Sequence, residues 1–186
     1  DAVVNGDADA IVTGPVSKEA IAASGAKGAK SFRGHTEYLM NRTGAREVVM
    51  AFYSERFTTS LATTHLPLAN VSKAITRENV TAATVHLAHF LKRLGKKKPR
   101  VAVCGLNPHA GENGLLGSED KKVIAPAIHL SQRRAPFAQI GGPVPAESAF
   151  RLANAGEFDG VVAMYHDQAT IPMKLVGFGE AVNVSL

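Results

Sequence analysis

Cysteine is almost absent from this chain: Cys104 is the single one, which excludes an internal disulfide framework and fits a reducing, cytoplasmic setting. It lies in the apolar run Val101-Ala102-Val103-Cys104, which reads as a strand, so its expected role is buried packing and not nucleophilic chemistry. Tryptophan is missing and aromatic residues make up only 6%. No apolar run approaches the roughly 18–20 residues that span a bilayer. The first residues also lack the charged, apolar and small order of a secretory signal, so no membrane partner is expected. Acidic residues are outnumbered, 16 against 21 Lys and Arg, for a formal charge of +5. The basic residues bunch at Lys92, Arg93, Lys96, Lys97, Lys98 and Arg100, around a predicted helix end where the dipole favours cations. With no aromatic side chains interleaved, that run reads as a solvated turn, and no nucleic-acid partner is expected. A positive field of this kind instead helps to gather anionic metabolites.

What is present describes a globular chain. Its 186 residues, 45% of them hydrophobic, are enough to bury a substantial core. Short apolar runs alternate with helical patterns. Ala10 to Thr13 reads as a strand ending in Gly14-Pro15, with Ser17 capping a helix to about Ser24. Glu47 to Tyr53 and Thr58 to Thr63 read as strands, and Thr76 opens the clearest helix, with Val80, Ala83, Leu87, Leu91 and Leu94 on one face and Gly95 as its stop. Then come a strand at Arg100 to Cys104, a helix from about Ser118 to Arg134, a short helix at Ala146 to Ala155 and a buried strand at Gly160 to Met164. This order predicts an α/β fold with a central mixed or largely parallel sheet flanked by helices. The chain opens close to a strand and stops inside the alternation Ala181 to Leu186, so a fragment truncated at both ends is expected.

Seven histidines are present. His86, His89 and His129 fall within predicted helices and read as partly exposed helix residues. His65, His109 and His166 differ, because each comes just after a predicted strand and beside turn chemistry: Pro67, then Pro108 with Gly111, then Asp167-Gln168. In α/β sheets, ligands collect beyond the carboxyl ends of strands. Three neutral imidazoles with vacant coordination positions make a sound catalytic metal site, though imidazole suits several divalent ions. The pattern leaves a second reading open, three loop histidines that never meet.

Other polar groups surround these. Gly34-His35-Thr36-Glu37 follows a Gly/Lys-rich loop, Gly25 to Lys30, and starts a predicted helix. Such a start can receive an anion such as phosphate, or His35 or Thr36 can simply cap the helix. Lys174 can bind phosphate or stabilise an enolate, or be a solvated loop lysine. Gly177 to Val182 is only superficially like a dinucleotide-binding glycine loop, since the third glycine is missing and no clear strand precedes it. Cofactor-binding residues are therefore left unassigned.

Seven stretches, in order along the chain, resemble the 4-hydroxythreonine-4-phosphate dehydrogenase family of vitamin B6 biosynthesis. They are Val12-Thr13-Gly14-Pro15-Val16-Ser17-Lys18, Gly34-His35-Thr36-Glu37-Tyr38-Leu39, Ala62-Thr63-Thr64-His65-Leu66-Pro67-Leu68, Gly105-Leu106-Asn107-Pro108-His109-Ala110-Gly111-Glu112, Gly142-Pro143-Val144-Pro145-Ala146, Met164-Tyr165-His166-Asp167-Gln168 and Val182-Asn183-Val184. The resemblance implies a fold like the isocitrate and isopropylmalate dehydrogenases, NAD bound without the usual glycine fingerprint, and a homodimer with its active site at the interface. Residues 1–186 would be the core portion of one subunit, spanning parts of two α/β subdomains. It also implies His65, His109 and His166 as ligands of a divalent metal (zinc, magnesium or cobalt), with His35, Thr36, Lys174 and Asn183 as contacts to a phosphorylated hydroxy-amino-acid substrate. Asp167 and Lys174 become the catalytic candidates. The implied chemistry is NAD-dependent oxidation of 4-hydroxythreonine 4-phosphate, then decarboxylation to 3-amino-2-oxopropyl phosphate.

Two departures bear on this. Ala169 stands where family members often carry glycine, and the family continues past Leu186 with a substrate arginine and a histidine-glycine dinucleotide segment. Competing readings are a sister dehydrogenase acting on D-threonate or D-erythronate 4-phosphate or on a cyclic diol, a metal-binding fragment without turnover, and a metallo-hydrolase.

Overall fold

A computed structural model of the chain describes residues 2–9, 11–26, 28–32, 34–177 and 179–186, with the backbone alone at Ser31. The chain divides into two units, Asp1–Val48 and Val49–Leu186. The first holds helices α1 (Ala2–Asn5), α2 (Lys18–Ala23) and α3 (His35–Thr43), with a 3-10 turn at Ala29–Ser31. Ser17 caps α2 as its sequence predicts, accepting a hydrogen bond from the Ala20 N–H at 3.2 Å. Among the described residues of the strand predicted from Ala10, Ile11 to Thr13 are irregular and Val12 is 96% exposed. Ala10 itself, Lys27 of the glycine/lysine loop and Phe178 of the discarded glycine loop lie outside the described residues.

The second unit contains the sheet. Its strands are β1 (Met50–Tyr53), β2 (Thr58–Leu61), β3 (Arg100–Cys104), β4 (Gln139–Val144), β5 (Gly160–Ala163) and β6 (Val182–Ser185), in the order β4-β3-β5-β2-β1-β6. The four strands β4, β3, β5 and β2 run parallel, and β1 lies antiparallel between β2 and β6. The expected mixed sheet is what forms. Helices α4 (Leu68–Ala74), α5 (Arg77–Arg93), α6 (Ala125–Arg134), α7 (Ala146–Asn154) and α8 (His166–Gly177) complete the unit.

Period-two alternation in the parallel strands divides the core between the two faces. Val101, Val103 and Val162 pack with Val80, Ala83, Leu87 and Leu91 of α5 and with Ala127 and Ile128 of α6. On the other face Ala102, Cys104, Val161 and Ala163 pack with Ala149, Phe150 and Ala153 of α7 and Ala169 and Met173 of α8. Helix α5 opens at Thr76 as expected and carries a capping box, with Thr76 and Asn79 exchanging side-chain and backbone bonds. Burying each large side chain such as Leu87 is worth about 1.5–3 kcal/mol. Among the described residues no buried side-chain nitrogen or oxygen lacks a hydrogen-bond partner.

Three further elements are not as the sequence suggests. Strand β4 holds Gly141-Gly142-Pro143, residues that argue against a central strand, and it exists because it is an edge. The helix expected from Ser118 opens instead as a π-helical turn, Asp120–Ile124, and becomes α-helical at Ala125. Helix α8 absorbs both the supposed turn Asp167-Gln168 and the supposed loop lysine, Lys174; Pro172 inside it masks its helical pattern.

Candidate metal and substrate site

Because β3, β5 and β2 are parallel neighbours, their carboxyl ends share one edge of the sheet. His109, His166 and His65 each follow one of these three strands. The pairing of β2 with β5 continues past the strands: the Ala62 N–H donates to the Ala163 carbonyl at 2.9 Å and the Thr63 N–H to the Met164 carbonyl at 3.2 Å. The Thr63 hydroxyl adds a second bond to that Met164 carbonyl at 2.7 Å. This extended register delivers His65 and His166 side by side, with ring centroids 5.3 Å apart. The two imidazoles line an open cavity of about 460 Å³ together with Thr64, Tyr165, Asp167 and the apolar Leu66, Leu68 and Val71. Nδ1 of His166 lies 2.7 Å from Oδ1 of Asp167, which orients the ring and leaves Nε2 as the nitrogen for a ligand.

His109 stands apart from that pair. It is exposed and does not line their cavity. Among the described residues no group of three or more His, Cys, Asp or Glu side chains is placed to hold a metal ion. The backbone that carries it is unusual: His109, Ala110, Gly111, Glu112 and Asn113 all have φ between 42 and 79°, a run of left-handed residues of which only one is glycine. This turn is built on the carboxylate of Asp120, itself only 2% exposed. Oδ1 accepts the Leu106 N–H at 2.8 Å, and Oδ2 accepts the Asn107 N–H at 3.2 Å and the Asn107 side-chain amide at 2.8 Å. Gly105 is required here, since a Cβ would lie 2.8 Å from both the Ala110 Cα and Asp120 Oδ1.

The carboxylate next in the chain, Glu119, has its pKa lowered by the Ser72 hydroxyl, then by its own backbone N–H and the Asn107 amide. Glu147, in the first turn of α7, is likewise lowered, first by the Ser148 hydroxyl and in small part by the field of His109. Cys104, 0% exposed, has its thiol pushed far up, first by burial and then by the charge of Glu147, which suits the packing role read from its strand.

The predicted substrate contacts fall in two places. Lys174 is exposed on α8 and lines a small cavity of about 150 Å³ with Phe52, Thr170 and Gly177. Asn183 in β6 stands directly opposite Phe52 of β1, so its side chain shares that sheet face. His35 and Thr36 belong to the unit Asp1–Val48, where His35 begins α3 and packs edge-on against Phe32, centroids 6.1 Å apart. Neither residue caps α3; the capping position is Gly34, without a side-chain bond. Glu37 instead leans back over this start, its Oε2 2.9 Å from where a Cβ on Gly34 would sit.

Sequence reasoning overlooked Asp120, Asn107 and Gln168. Asp120 reads from sequence as an ordinary first-turn acid and Gln168 as turn chemistry. The available signal was proximity: Asn107 and Gln168 each lie two residues from a candidate ligand.

The sequence profile of the family described as "Pyridoxal phosphate biosynthetic protein PdxA" matches residues 1–186. The chain is similar to the 4-hydroxythreonine-4-phosphate dehydrogenase of Methylococcus capsulatus, with 45% identity over 186 residues, 100% of this chain and 54% of that protein. It is also similar to the D-threonate 4-phosphate dehydrogenase of Salmonella typhimurium, with 40% identity over 182 residues, 98% of this chain and 54% of that one. In structure it matches the crystal structure of the 4-hydroxythreonine-4-phosphate dehydrogenase from Klebsiella pneumoniae with a TM-score of 0.86 and 37% identity, covering 98% of this chain and 55% of that chain. The chain spans about half the length of the curated relatives it matches. A match over every residue, carried through to a shared mixed α/β fold, means that the chain belongs to the family of the pyridoxal phosphate biosynthetic protein PdxA.

Proposed function

We propose that this chain is the core of a metal-dependent, NAD-linked dehydrogenase that oxidises 4-hydroxythreonine 4-phosphate and decarboxylates the product to 3-amino-2-oxopropyl phosphate, in pyridoxal phosphate biosynthesis. The observation that carries this reading is the delivery of His65, His109 and His166 to one edge of the sheet by three adjacent parallel strands, with the rings of His65 and His166 5.3 Å apart. Family membership supports the oxidoreductase class. We read the architecture as isocitrate/isopropylmalate dehydrogenase-like, with residues 1–186 supplying parts of two α/β subdomains to a cytoplasmic homodimer whose active site lies at the interface.

As folded here, His65 and His166 offer a divalent cation two of the three imidazoles, and His109 stands apart from them. Two imidazoles stand side by side, one with Nδ1 engaged by a carboxylate, and a third follows the neighbouring strand. His65, His109 and His166 would hold zinc, magnesium or cobalt. When bound, the cation supplies Lewis acidity toward the substrate's hydroxyl and carboxylate oxygens, and NAD supplies the hydride acceptor. The chain's own contribution is placement. Lys174 and Asn183, on one sheet face, bind anionic and polar groups of the substrate, as do His35 and Thr36. Lys174 also offsets negative charge as the C–C bond to the departing CO₂ breaks and its electron pair moves into the adjacent carbonyl. Asp167 orients His166 and, 70% exposed, is open to exchange the hydroxyl proton.

Two measurements test this. Full-length protein should reduce NAD with 4-hydroxythreonine 4-phosphate in preference to D-threonate 4-phosphate. The reverse preference transfers the same chemistry to the second substrate, an outcome that the 40% identical Salmonella typhimurium relative makes specific. His109→Ala should lose both metal and turnover; a variant with normal metal content removes His109 from the ligand set.

A further inference from the structure

Far from the histidines, an open cavity of about 620 Å³ lies along the edge strand β4, walled by Gln132, Pro136, Ala138, Ile140, Gly141 and Phe158. Gly141 is the telling residue. Its neighbour Gly142 must be glycine, since a Cβ there would lie 2.5 Å from the Val103 carbonyl oxygen. Gly141 has no such reason: its φ lies outside the left-handed region, and a Cβ would meet nothing within 4 Å. Glycine weakens a strand, and where the fold does not demand it, it marks a place where something else approaches. Gly141 pairs with Ala102, so the space it leaves opens on the sheet face that also carries Phe158. The chain around this cavity is basic. Arg133 and Arg134 lie between the lining residues Gln132 and Pro136, and Lys98 precedes Pro99, whose carbonyl accepts the Gln139 N–H at 2.8 Å. All three cations are exposed, and among the described residues none of them enters an ion pair. The acid of the lining, Glu157, lies in the field of Arg100.

We propose that this cavity docks an acidic segment of another protein, which seats one apolar side chain against Gly141 and Phe158 and sets its carboxylates against Lys98, Arg133 and Arg134. An apolar anchor in a pocket with a charged rim is the ordinary anatomy of such a contact. Addition of a further strand to β4 is disfavoured. The Gln139 N–H faces β3, so the backbone of Ile140 faces outward, and its carbonyl already accepts the Gln132 side-chain amide at 2.9 Å. Pro143, farther along the same edge, has no N–H to offer. Nucleic acid is disfavoured as well, because stacking needs an open ring. Phe137, the aromatic residue nearest the cations, is covered by Lys92 Nζ at 4.4 Å and by the His89 ring at 4.9 Å.

The test measures fluorescence anisotropy of a labelled oligoglutamate peptide with one central phenylalanine, against the full-length protein and the 186-residue chain. Both should bind it, and exchanging its phenylalanine for alanine should weaken binding by about 10-fold or more. Gly141→Leu fills the space with a side chain of the protein's own, so it should bind the two peptides equally and weakly, with wild-type far-UV circular dichroism. Reversing the rim charge, in Arg133→Glu with Arg134→Glu, should weaken both peptides several-fold. Equal affinity of the wild-type protein for the two peptides means charge attraction alone and overturns the proposal, whether or not any variant folds. An undiminished preference for phenylalanine in Gly141→Leu places the anchor elsewhere and also overturns it. Single-stranded DNA or polyphosphate of matched charge that outcompetes the phenylalanine peptide assigns the cations to a phosphate polymer instead, against the proposal. Full-length protein that binds neither peptide overturns it too, and binding by the 186-residue chain alone would then assign the cavity to a contact within the longer protein.

Discussion

The two ends of strands β2, β3 and β5 are stitched by different means. At the amino ends a single residue, Asp159, closes the junction. Its N–H donates to the Arg100 carbonyl at 2.8 Å and its carbonyl accepts the Thr58 N–H at 3.2 Å. Its carboxylate accepts the Arg100 backbone N–H at 2.9 Å, Nε at 3.2 Å and Nη2 at 3.2 Å, with Lys96 Nζ at 3.1 Å. Asp159 thus faces both Arg100 and Lys96. At the carboxyl ends the carboxylate of Asp120 also gathers N–H groups, but what it supports is a left-handed turn with an exposed imidazole at its head. One end satisfies itself; the other holds donors outward on an unfavourable backbone. That division puts the charge-paired junction and the candidate histidines at opposite ends of the same strands.

The sharpest way to break the contrast is at Asp120. Asp120→Ala strands the Leu106 and Asn107 N–H groups and the Asn107 amide, a loss of about 2–3 kcal/mol. Urea unfolding checks the magnitude. Hydrogen exchange checks the location: protection should fall at residues 105–116 before it falls in β3 or α5. If protection instead falls evenly over the whole sheet, the carboxyl-end network is part of the core and the contrast dissolves.

Asp159→Asn should act globally and more mildly, by about 1–2 kcal/mol, because Lys96 and Arg100 are half-exposed and their attraction is screened. It should leave metal affinity unchanged. Burial opposes ionisation of Asp159, but the Arg100 hydrogen bonds and Lys96 outweigh it and hold its pKa below the ordinary value. A carboxylate lowered in the folded state contributes stability that is complete above the unfolded pKa of about 3.9 and is lost as pH falls through the folded value. The stability gap between wild type and Asp159→Asn should therefore be constant near neutrality and close in acid below about pH 4. A gap that stays open in strong acid would mean the lost interaction was not ionic.

The same contrast separates what could be read in the sequence from what could not. Arg100 to Cys104, Thr76 with its helix, and Gly160 onward announce themselves because period and capping act locally. The candidate histidines were also visible, since each follows a strand. The pairing of His65 with His166, and the separation of His109 from them, were not, because strand order and loop conformation depend on long-range packing. Strand β4 and helix α8 escaped for a different reason: Gly141-Gly142-Pro143 and Pro172 are local signals that tertiary context overrides. Asp120 was legible only as a helix-start acid, since nothing in its neighbours along the chain reveals a loop folded onto it.

The smallest expected effect probes the backbone of that loop. Glu112 is exposed, with φ 42° and ψ 57°, a conformation that costs a residue with a Cβ about 1 kcal/mol relative to glycine. Glu112→Gly should therefore raise stability by about 0.5–1 kcal/mol, where glycine at an exposed right-handed position would lower it. Part of that gain is offset by the wider freedom of glycine in the unfolded chain, so the measured value should sit at the lower end of that range. Precise urea midpoints on matched samples resolve a difference of this size. A destabilised Glu112→Gly would mean that residue 112 does not hold its left-handed backbone in solution.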